Sequence, residues 1–326
     1  MKIVFFGTPF FSAYILEKLQ NYVEISAVVC PPDKESGRGR KIKACRVKQK
    51  ADDLKIKVLQ PRKLKDSAFI NQLKNLKADL FIVVAFRMLP KEVWKIPKKG
   101  SVNLHTSLLP NYRGAAPINW AIINGEKTTG ISTFFINERI DQGNIIMQEK
   151  VELDDRMTAG QLHNIMMKQG VDLLFKSIER IKKNKTIAVV QQKNITDKKA
   201  PKIKPDLCKI DWSKSAIEIQ NLIRGLSPVL ENNLLLKDIA ICPSAWFYLV
   251  VKNGKKIRVK LMLADFEIIS HSLDKLTIIT DNKNYLKIVV KDGFINIIKL
   301  QMEGKKAMDV KDFLSGFQFR NTFTVC

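Results

Sequence analysis

With 326 residues, 45% of them apolar, the chain is long enough for two domains with cores of their own, and intrinsic disorder is not expected. Lys and Arg number 56 against 32 Asp and Glu, a formal charge of +24, which points to an anionic partner, nucleic acid first and a membrane surface second; a biased, Lys- and Ile-rich composition is the alternative source of that charge. The five cysteines, Cys30, Cys45, Cys208, Cys242 and Cys326, are scattered and odd in number, without the close pairs of a metal site, so no disulfide framework and no metal is expected.

In chain order, residues 3–6 predict a short apolar strand, Gly7-Thr8-Pro9 a turn, and Phe11, Ile15, Leu16 and Leu19 recur at helical spacing. The opening apolar run is too short for a signal peptide and no later stretch has the length of a membrane span, so a cytoplasmic protein with no membrane contact is expected. Further strands are predicted at 25–30, 79–86 and 102–105, alternating with helical or irregular segments. That alternation argues for an α/β fold with a doubly wound, mainly parallel sheet. The first turn lacks the glycine fingerprint of dinucleotide binding. Between the second strand and the next helix, residues 31–41 form a Pro- and Gly-containing loop with Arg38, Arg40 and Lys41, followed by Lys43 and Arg46. This loop reads either as a solvated basic surface or as a clamp for phosphates, in which arginines supply planar donors.

The stretch from Asn103 to Pro117 is the most informative. In a strand, residues two apart project to one side, so Asn103 and His105 share a face just before a loop punctuated by Pro110, Gly114 and Pro117. An amide that donates hydrogen bonds beside an imidazole that handles a proton suits a reaction in which a carbonyl oxygen becomes negative and an attacking nitrogen sheds a proton. Acyl or formyl transfer fits that description. The alternative is a pair of strand residues satisfied by backbone partners. Asp141, in Ile140-Asp141-Gln142-Gly143-Asn144, reads on its own as a turn-former, or as the carboxylate that orients His105 if the turn folds beside it.

Strands at 130–137 and 145–153 and a helix at 158–183 complete the first half. From 191 to 209 the chain is polar, basic and interrupted by Pro201 and Pro205, which predicts a linker carrying Lys198, Lys199, Lys202 and Lys204. After a helix at 215–226, short strands at 245–252, 256–266, 276–280, 285–290 and 294–300 have the spacing of a small β-barrel. The domain division is therefore 1–190, a linker at 191–209, and 210–326.

Taken together, these residues resemble the methionyl-tRNA formyltransferase family, within the folate-dependent formyltransferases. The motifs are Phe6-Gly7-Thr8-Pro9, Ser36-Gly37-Arg38-Gly39, Asn103 to Pro117 and Ile140-Asp141-Gln142-Gly143. In the second half they are Ala200-Pro201-Lys202-Ile203, Ile210-Asp211-Trp212-Ser213, Arg224-Gly225-Leu226-Ser227-Pro228 and Gly304-Lys305-Lys306-Ala307-Met308. The resemblance implies a Rossmann-like formyltransferase domain followed by an OB-like β-barrel that binds tRNA. It implies transfer of a formyl group from 10-formyltetrahydrofolate to the α-amino group of methionine on initiator tRNA, without a metal and by a monomer. By the same resemblance Asn103 and His105 stabilise the oxyanion, Asp141 holds His105 and helps relay the proton, and Ser107, Leu108, Leu109 and Pro110 bind tetrahydrofolate. Phe86 to Leu89, with Met88 and Leu89, line the pterin pocket, and Arg38, Arg40 and Lys41 meet the tRNA. The chain departs from the family pattern at Phe86-Arg87, where Tyr-Gly is common, at Gln142 and Asn144, and in extra sequence at 229–242. Competing readings are a formyltransferase for a small amine and a non-catalytic RNA-binding protein.

Overall fold

Val4 and Phe6 project to one side of a strand and Ile3 and Phe5 to the other, and all four are buried, the pattern of a parallel strand covered on both faces. A computed structural model describes residues 1–36, 41–192, 198–236, 242–251, 254–319 and 323–326, and in it this strand, β1 (Lys2–Gly7), is interior to a seven-stranded sheet. The chain divides into two compact units. The first comprises Met1–Gly114, Thr128–Glu152 and His163–Lys199; the second comprises Ala115–Lys127, Leu153–Leu162 and Ala200–Cys326.

The first unit contains α1 (Phe10–Leu19), β2 (Glu24–Val29), the hairpin β3 (Lys34–Ser36) and β4 (Lys41–Lys43), α2 (Arg46–Asp53), β5 (Val58–Leu59) and α3 (Ser67–Asn75). Then come β6 (Leu80–Val84), α4 (Lys91–Trp94), β7 (Ser101–His105), β8 (Arg113–Gly114), β9 (Thr128–Phe135), β10 (Ile145–Glu152) and most of α6 (Ala159–Lys182). The sheet order is β10-β9-β7-β6-β1-β2-β5; β5, β2, β1, β6 and β7 are parallel, and β9 and β10 antiparallel. Phe69 and Leu73 of α3 pack with Val4, Phe6, Phe81 and Val83 on one face. Leu104 points to the other, since its neighbour Asn103 is level with Val83, and there it meets Gly170 of α6. Helices on both faces make the sheet doubly wound.

The chain moves outward from β1 through β2 and β5 and returns to lay β6 on the opposite side of β1. The carboxyl ends of β1, β6 and β7 therefore gather at a reversal of strand order, the place where open α/β sheets take ligands. The strand predicted to reach Phe86 ends at Val84, because Ala85 adopts φ 47° and turns the chain out of the sheet.

The second unit contains α5 (Pro117–Ile123), α7 (Ala216–Gly225), β12 (Ala245–Val250), β13 (Lys256–Ile268), β14 (Ile278–Thr280), β15 (Leu286–Val290), β16 (Gly293–Met302), β17 (Met308–Asp309), α8 (Val310–Gly316) and β18 (Thr324–Val325); β11 (Lys199–Ala200) precedes most of them. Its antiparallel strands follow the order β14-β15-β16-β13-β12-β18, with β17 on β16. Asn282, just after β14, donates to the Phe319 carbonyl at 3.2 Å and accepts from its N–H at 2.7 Å, drawing the start of the path toward the segment that enters β18. The result is a nearly closed antiparallel barrel. Ile219 and Ile223 of α7 share its core with Phe247, Leu261, Ile288, Ile295 and Leu314. A capping box between Ser215 and Glu218 satisfies the first amides of α7. Its last turn meets α5, where Asn119 Nδ2 donates to the Gly225 carbonyl at 2.8 Å.

Part of the predicted linker is built into this unit. Residues 205–208 form a 3-10 turn, and Cys208 and Ile210 are buried in the barrel core. In the extra stretch at 229–242, Val229 and Leu235 form an antiparallel bridge, Leu236 is buried, and residues 237–241 lie outside the described residues.

Candidate active site

β7 delivers the predicted pair as its pleat requires: Asn103 half-buried and His105 at the last position, 7% exposed. Among the described residues the Asn103 amide has no hydrogen-bond partner, so both of its donors remain available at the carboxyl edge of the sheet. His105 is oriented by the backbone. Its Nε2 lies 2.9 Å from the Tyr112 carbonyl, which can only accept, so Nε2 carries the hydrogen and Nδ1 is left for the reaction.

Asp141 occupies a turn after β9, at φ 54°, and the turn does fold beside the histidine. Its Oδ2 is 4.0 Å from His105 Nδ1, an ion-pair distance when the ring is protonated and too long for a direct hydrogen bond. The same oxygen accepts from the Gly114 N–H at 3.0 Å. The Tyr112 carbonyl, more than Asp141, sets the tilt of the ring, while the carboxylate supplies charge and holds the loop.

Gln191 ties the two loops together. Its Nε2 donates to the carbonyls of Asp141 at 3.0 Å and Gly143 at 2.7 Å, and its Oε1 accepts from Arg113 Nε and Nη2 at 3.0 and 2.6 Å. Gly143 must be glycine here, because a Cβ would lie 1.5 Å from the Phe135 carbonyl oxygen. Sequence reasoning placed Gln191 at the start of a linker and gave it no role. Its partners stand 48 or more positions away, a separation no local pattern encodes.

The segment at 107–110 is held from beneath by two residues that also carried no signal. Ser132 Oγ donates to the Ser107 carbonyl at 2.6 Å and accepts from the Leu109 N–H at 3.1 Å and Gln148 Nε2 at 2.8 Å; Gln148 also donates to the Leu109 carbonyl at 3.0 Å. Ser107 is fully buried and its hydroxyl donates to the Asn111 carbonyl at 2.7 Å, and Leu109 is buried too, leaving Leu108 and Pro110 half-exposed. Across the edge, Met88 is 62% exposed while Leu89 is buried in the core. At the Phe86-Arg87 departure, Phe86 packs edge-on to Phe6 with ring centres 5.7 Å apart. The Arg87 guanidinium donates to the carbonyls of Pro61 and Arg62 at 2.5 and 3.0 Å, tethering the segment to the loop after β5. That loop borders a shallow cavity of about 700 Å³ lined by Gln60, Phe69 and Gln72, to which none of the residues around His105 contributes.

Arg38 and Arg40 lie outside the described residues; Lys41 opens β4, and its backbone alone is described. Among the described residues no group of three or more His, Cys, Asp or Glu side chains is gathered to hold a metal ion, and no helix is long and apolar enough to cross a membrane.

Sequence models of two domains, described as "Formyl transferase" and "Formyl transferase, C-terminal domain", match residues 1–178 and 202–318. The chain belongs to the formyl transferase family. Among its relatives, the methionyl-tRNA formyltransferase of Flavobacterium johnsoniae is 43% identical over 320 residues, covering 98% of this chain and 97% of the relative. That of Parabacteroides distasonis is 41% identical, covering 100% and 98%. In solved structures, the fold recurs in a Helicobacter canadensis N-formyltransferase bound to folinic acid and dTDP-3-aminofucose, with a TM-score of 0.63 at 23% identity, covering 91% of this chain and 98% of that one. A sugar 3N-formyl transferase gives 0.62 at 22%, covering 94% and 99%. The motifs at Asn103–Pro117 and Ile140–Gly143 thus lie inside the family domain that the match covers.

Proposed function

We propose that this protein transfers a formyl group from 10-formyltetrahydrofolate to the α-amino group of methionine on initiator tRNA, for translation initiation. The observation that carries this reading is the match of more than 40% identity, end to end, to methionyl-tRNA formyltransferases. The methionyl amine attacks the formyl carbon, the C–N bond forms, and the carbonyl electron pair moves onto oxygen. Asn103 and protonated His105 donate hydrogen bonds to that oxyanion. The amine gives up a proton, which passes through water by way of the Asp141 carboxylate to N10 of tetrahydrofolate as collapse of the adduct breaks the bond to N10, while His105 Nδ1 keeps its proton toward the oxyanion. Asp141 keeps an anion near the imidazole and, through Gly114, fixes the loop that carries Tyr112.

For the donor, Leu108, Pro110, Phe86 and Met88 present apolar surface to the pterin, while Ser107, Leu109 and Leu89 hold that wall from behind. Arg38, Arg40 and Lys41 grip the acceptor stem. Catalysis belongs to residues 1–190 apart from 115–127 and 153–162, which lie in the second unit, and tRNA binding to the second unit with the basic segment 191–209 leading into it; the ranges of the two family models support a catalytic first half and a separate second half. The enzyme works in the cytoplasm as a monomer, with no membrane partner and no metal.

Incubating purified protein with charged initiator tRNA and 10-formyltetrahydrofolate, then deacylating and separating the products, is expected to give formyl-methionine. Formylation of a nucleotide-linked amino sugar with none of methionyl-tRNA would overturn the reading.

A further inference from the structure

Val189 pairs with Ile145 through two backbone hydrogen bonds of 2.8 Å, so the chain that leaves α6 is laid against the start of β10, directly after the turn that carries Asp141. Two residues further on, the buried side chain of Gln191 reaches that turn. The partners decide which way its amide faces. Arg113 can only donate and the carbonyls of Asp141 and Gly143 can only accept, so Oε1 must face the guanidinium and Nε2 the turn. Both hydrogens and both lone pairs of the amide are used, and any other placement of the side chain gives up some of those bonds.

What Gln191 holds is the backbone of Asp141 itself. Asp141 has φ 54°, in the left-handed region that a residue with a Cβ enters at a cost. Its carbonyl and that of Gly143 are bound by Gln191, and the Gln142 carbonyl between them accepts from Asn137 Nδ2 at 3.2 Å. Three successive carbonyls are thus held by two side-chain amides, and the peptide so fixed sets where the Asp141 carboxylate points. On the other side, Arg113 stands between Tyr112, whose carbonyl meets His105 Nε2, and Gly114, whose N–H meets Asp141 Oδ2. One amide therefore joins the turn that carries the carboxylate to the loop that orients the imidazole, and the 4.0 Å between Asp141 Oδ2 and His105 Nδ1 is the spacing that this link governs.

We propose, resting on the catalytic roles given above, that Gln191 is a positioning residue for formyl transfer and acts through Asp141, by setting the distance of its carboxylate from His105. Without the two Nε2 donors the turn relaxes and the carboxylate leaves the place from which it passes the proton; displacement of a working group by about 1 Å can cost a hundredfold in rate. The hydrogen-bonding positions of Gln191 are spent within the protein, so binding of donor and acceptor survives its loss.

The test compares the full-length parent with Gln191→Leu, Gln191→Glu, Asp141→Asn and the two double variants, each checked for folding by circular dichroism and melting. Gln191→Glu has the shape of glutamine and keeps oxygens for Arg113, but presents no donor to the carbonyls, so it decides the outcome if Gln191→Leu folds poorly. Both Gln191 variants are expected to lower kcat about ten- to a hundredfold, with the Michaelis constants for donor and acceptor within about twofold of the parent's. In the Asp141→Asn background the same substitutions should cost less than about threefold, because the charge to be positioned is already gone. A general loss of folded protein would instead multiply through in both backgrounds. With no substrate present, the amides of residues 140–144 should exchange with solvent faster in both Gln191 variants. Parent-like kcat in Gln191→Glu, an equal fractional loss in the two backgrounds, or unchanged exchange in the turn would overturn the proposal. Rates are read with whichever amine the parent formylates, so an acceptor other than methionyl-tRNA counts against the proposed function, and a failed cycle counts against the role of Gln191.

Discussion

His105 has one nitrogen committed to the Tyr112 carbonyl and one facing Asp141 across 4.0 Å, a geometry that leaves a single protonation site for chemistry. Replacing it with alanine is expected to lower formyl transfer by about two to four orders of magnitude, the usual range for a positioned acid-base group, with tRNA and folate binding near normal. Turnover close to the parent's would return His105 to a structural role. Asp141 allows a finer separation, because it does two things. Asp141→Asn keeps an oxygen for the Gly114 N–H and removes the charge, so kcat should fall about ten- to a hundredfold with the Michaelis constant for folate little changed. Asp141→Ala also abandons the Gly114 N–H, adding about 1 kcal/mol of lost stability that a denaturant titration should detect. Parent-like rates for Asp141→Asn, with rate and melting impaired only in Asp141→Ala, would show that the carboxylate matters only as a loop anchor.

At the scale of elements, the site was legible wherever its signal was periodic or local. Asn103 and His105 came from the two-residue repeat of a strand, and the apolar runs at 3–6 and 79–86 gave the buried parallel core, the second with an overrun past Val84, because those patterns are written in neighbouring residues. The Asp141 turn was recognisable as a turn, but its place beside His105 followed from family resemblance, since pairing of β9 with β7 is a long-range fact. Ser132, Gln148 and Gln191 carried no signal at all: each is an ordinary polar residue whose importance lies in which carbonyls it reaches. Ser132→Ala tests this. It leaves the Ser107 carbonyl and the Leu109 N–H without their buried partner, and the 107–110 segment should loosen, raising the Michaelis constant for the folate donor about tenfold while kcat falls less, from a lost interaction of about 1–3 kcal/mol. A donor Michaelis constant equal to the parent's would mean the segment is held by other contacts or does not meet folate.

At the scale of the whole molecule, the barrel was foreseen from its strand spacing, but the interleaving of the two units was not, because it depends on where α5 and the segment at 153–162 pack rather than on what they are. A chain ending at Lys199 would retain α5 without α7, leaving Asn119 without the Gly225 carbonyl and uncovering Ile123. Such a truncation is expected to melt at lower temperature and to associate on a sizing column; an unchanged melt and a monomeric profile would show that α5 is stable without α7. The charge of +24 belongs to this scale too. Arg38→Ala should raise the Michaelis constant for tRNA and flatten the dependence of binding on salt by about one phosphate contact, with folate binding intact. Loss of folate affinity alone would assign the loop to the donor instead.

The chain passes between the units five times, at 114, 127, 152, 162 and 199. During synthesis, α5 leaves the ribosome roughly 100 residues ahead of the end of α7, and at elongation rates of 5–20 residues per second its apolar side waits about 5–20 s for that cover. Until then the nascent polypeptide displays Ile123, a binding opportunity for chaperones that a protein with its domains arranged end to end would not present.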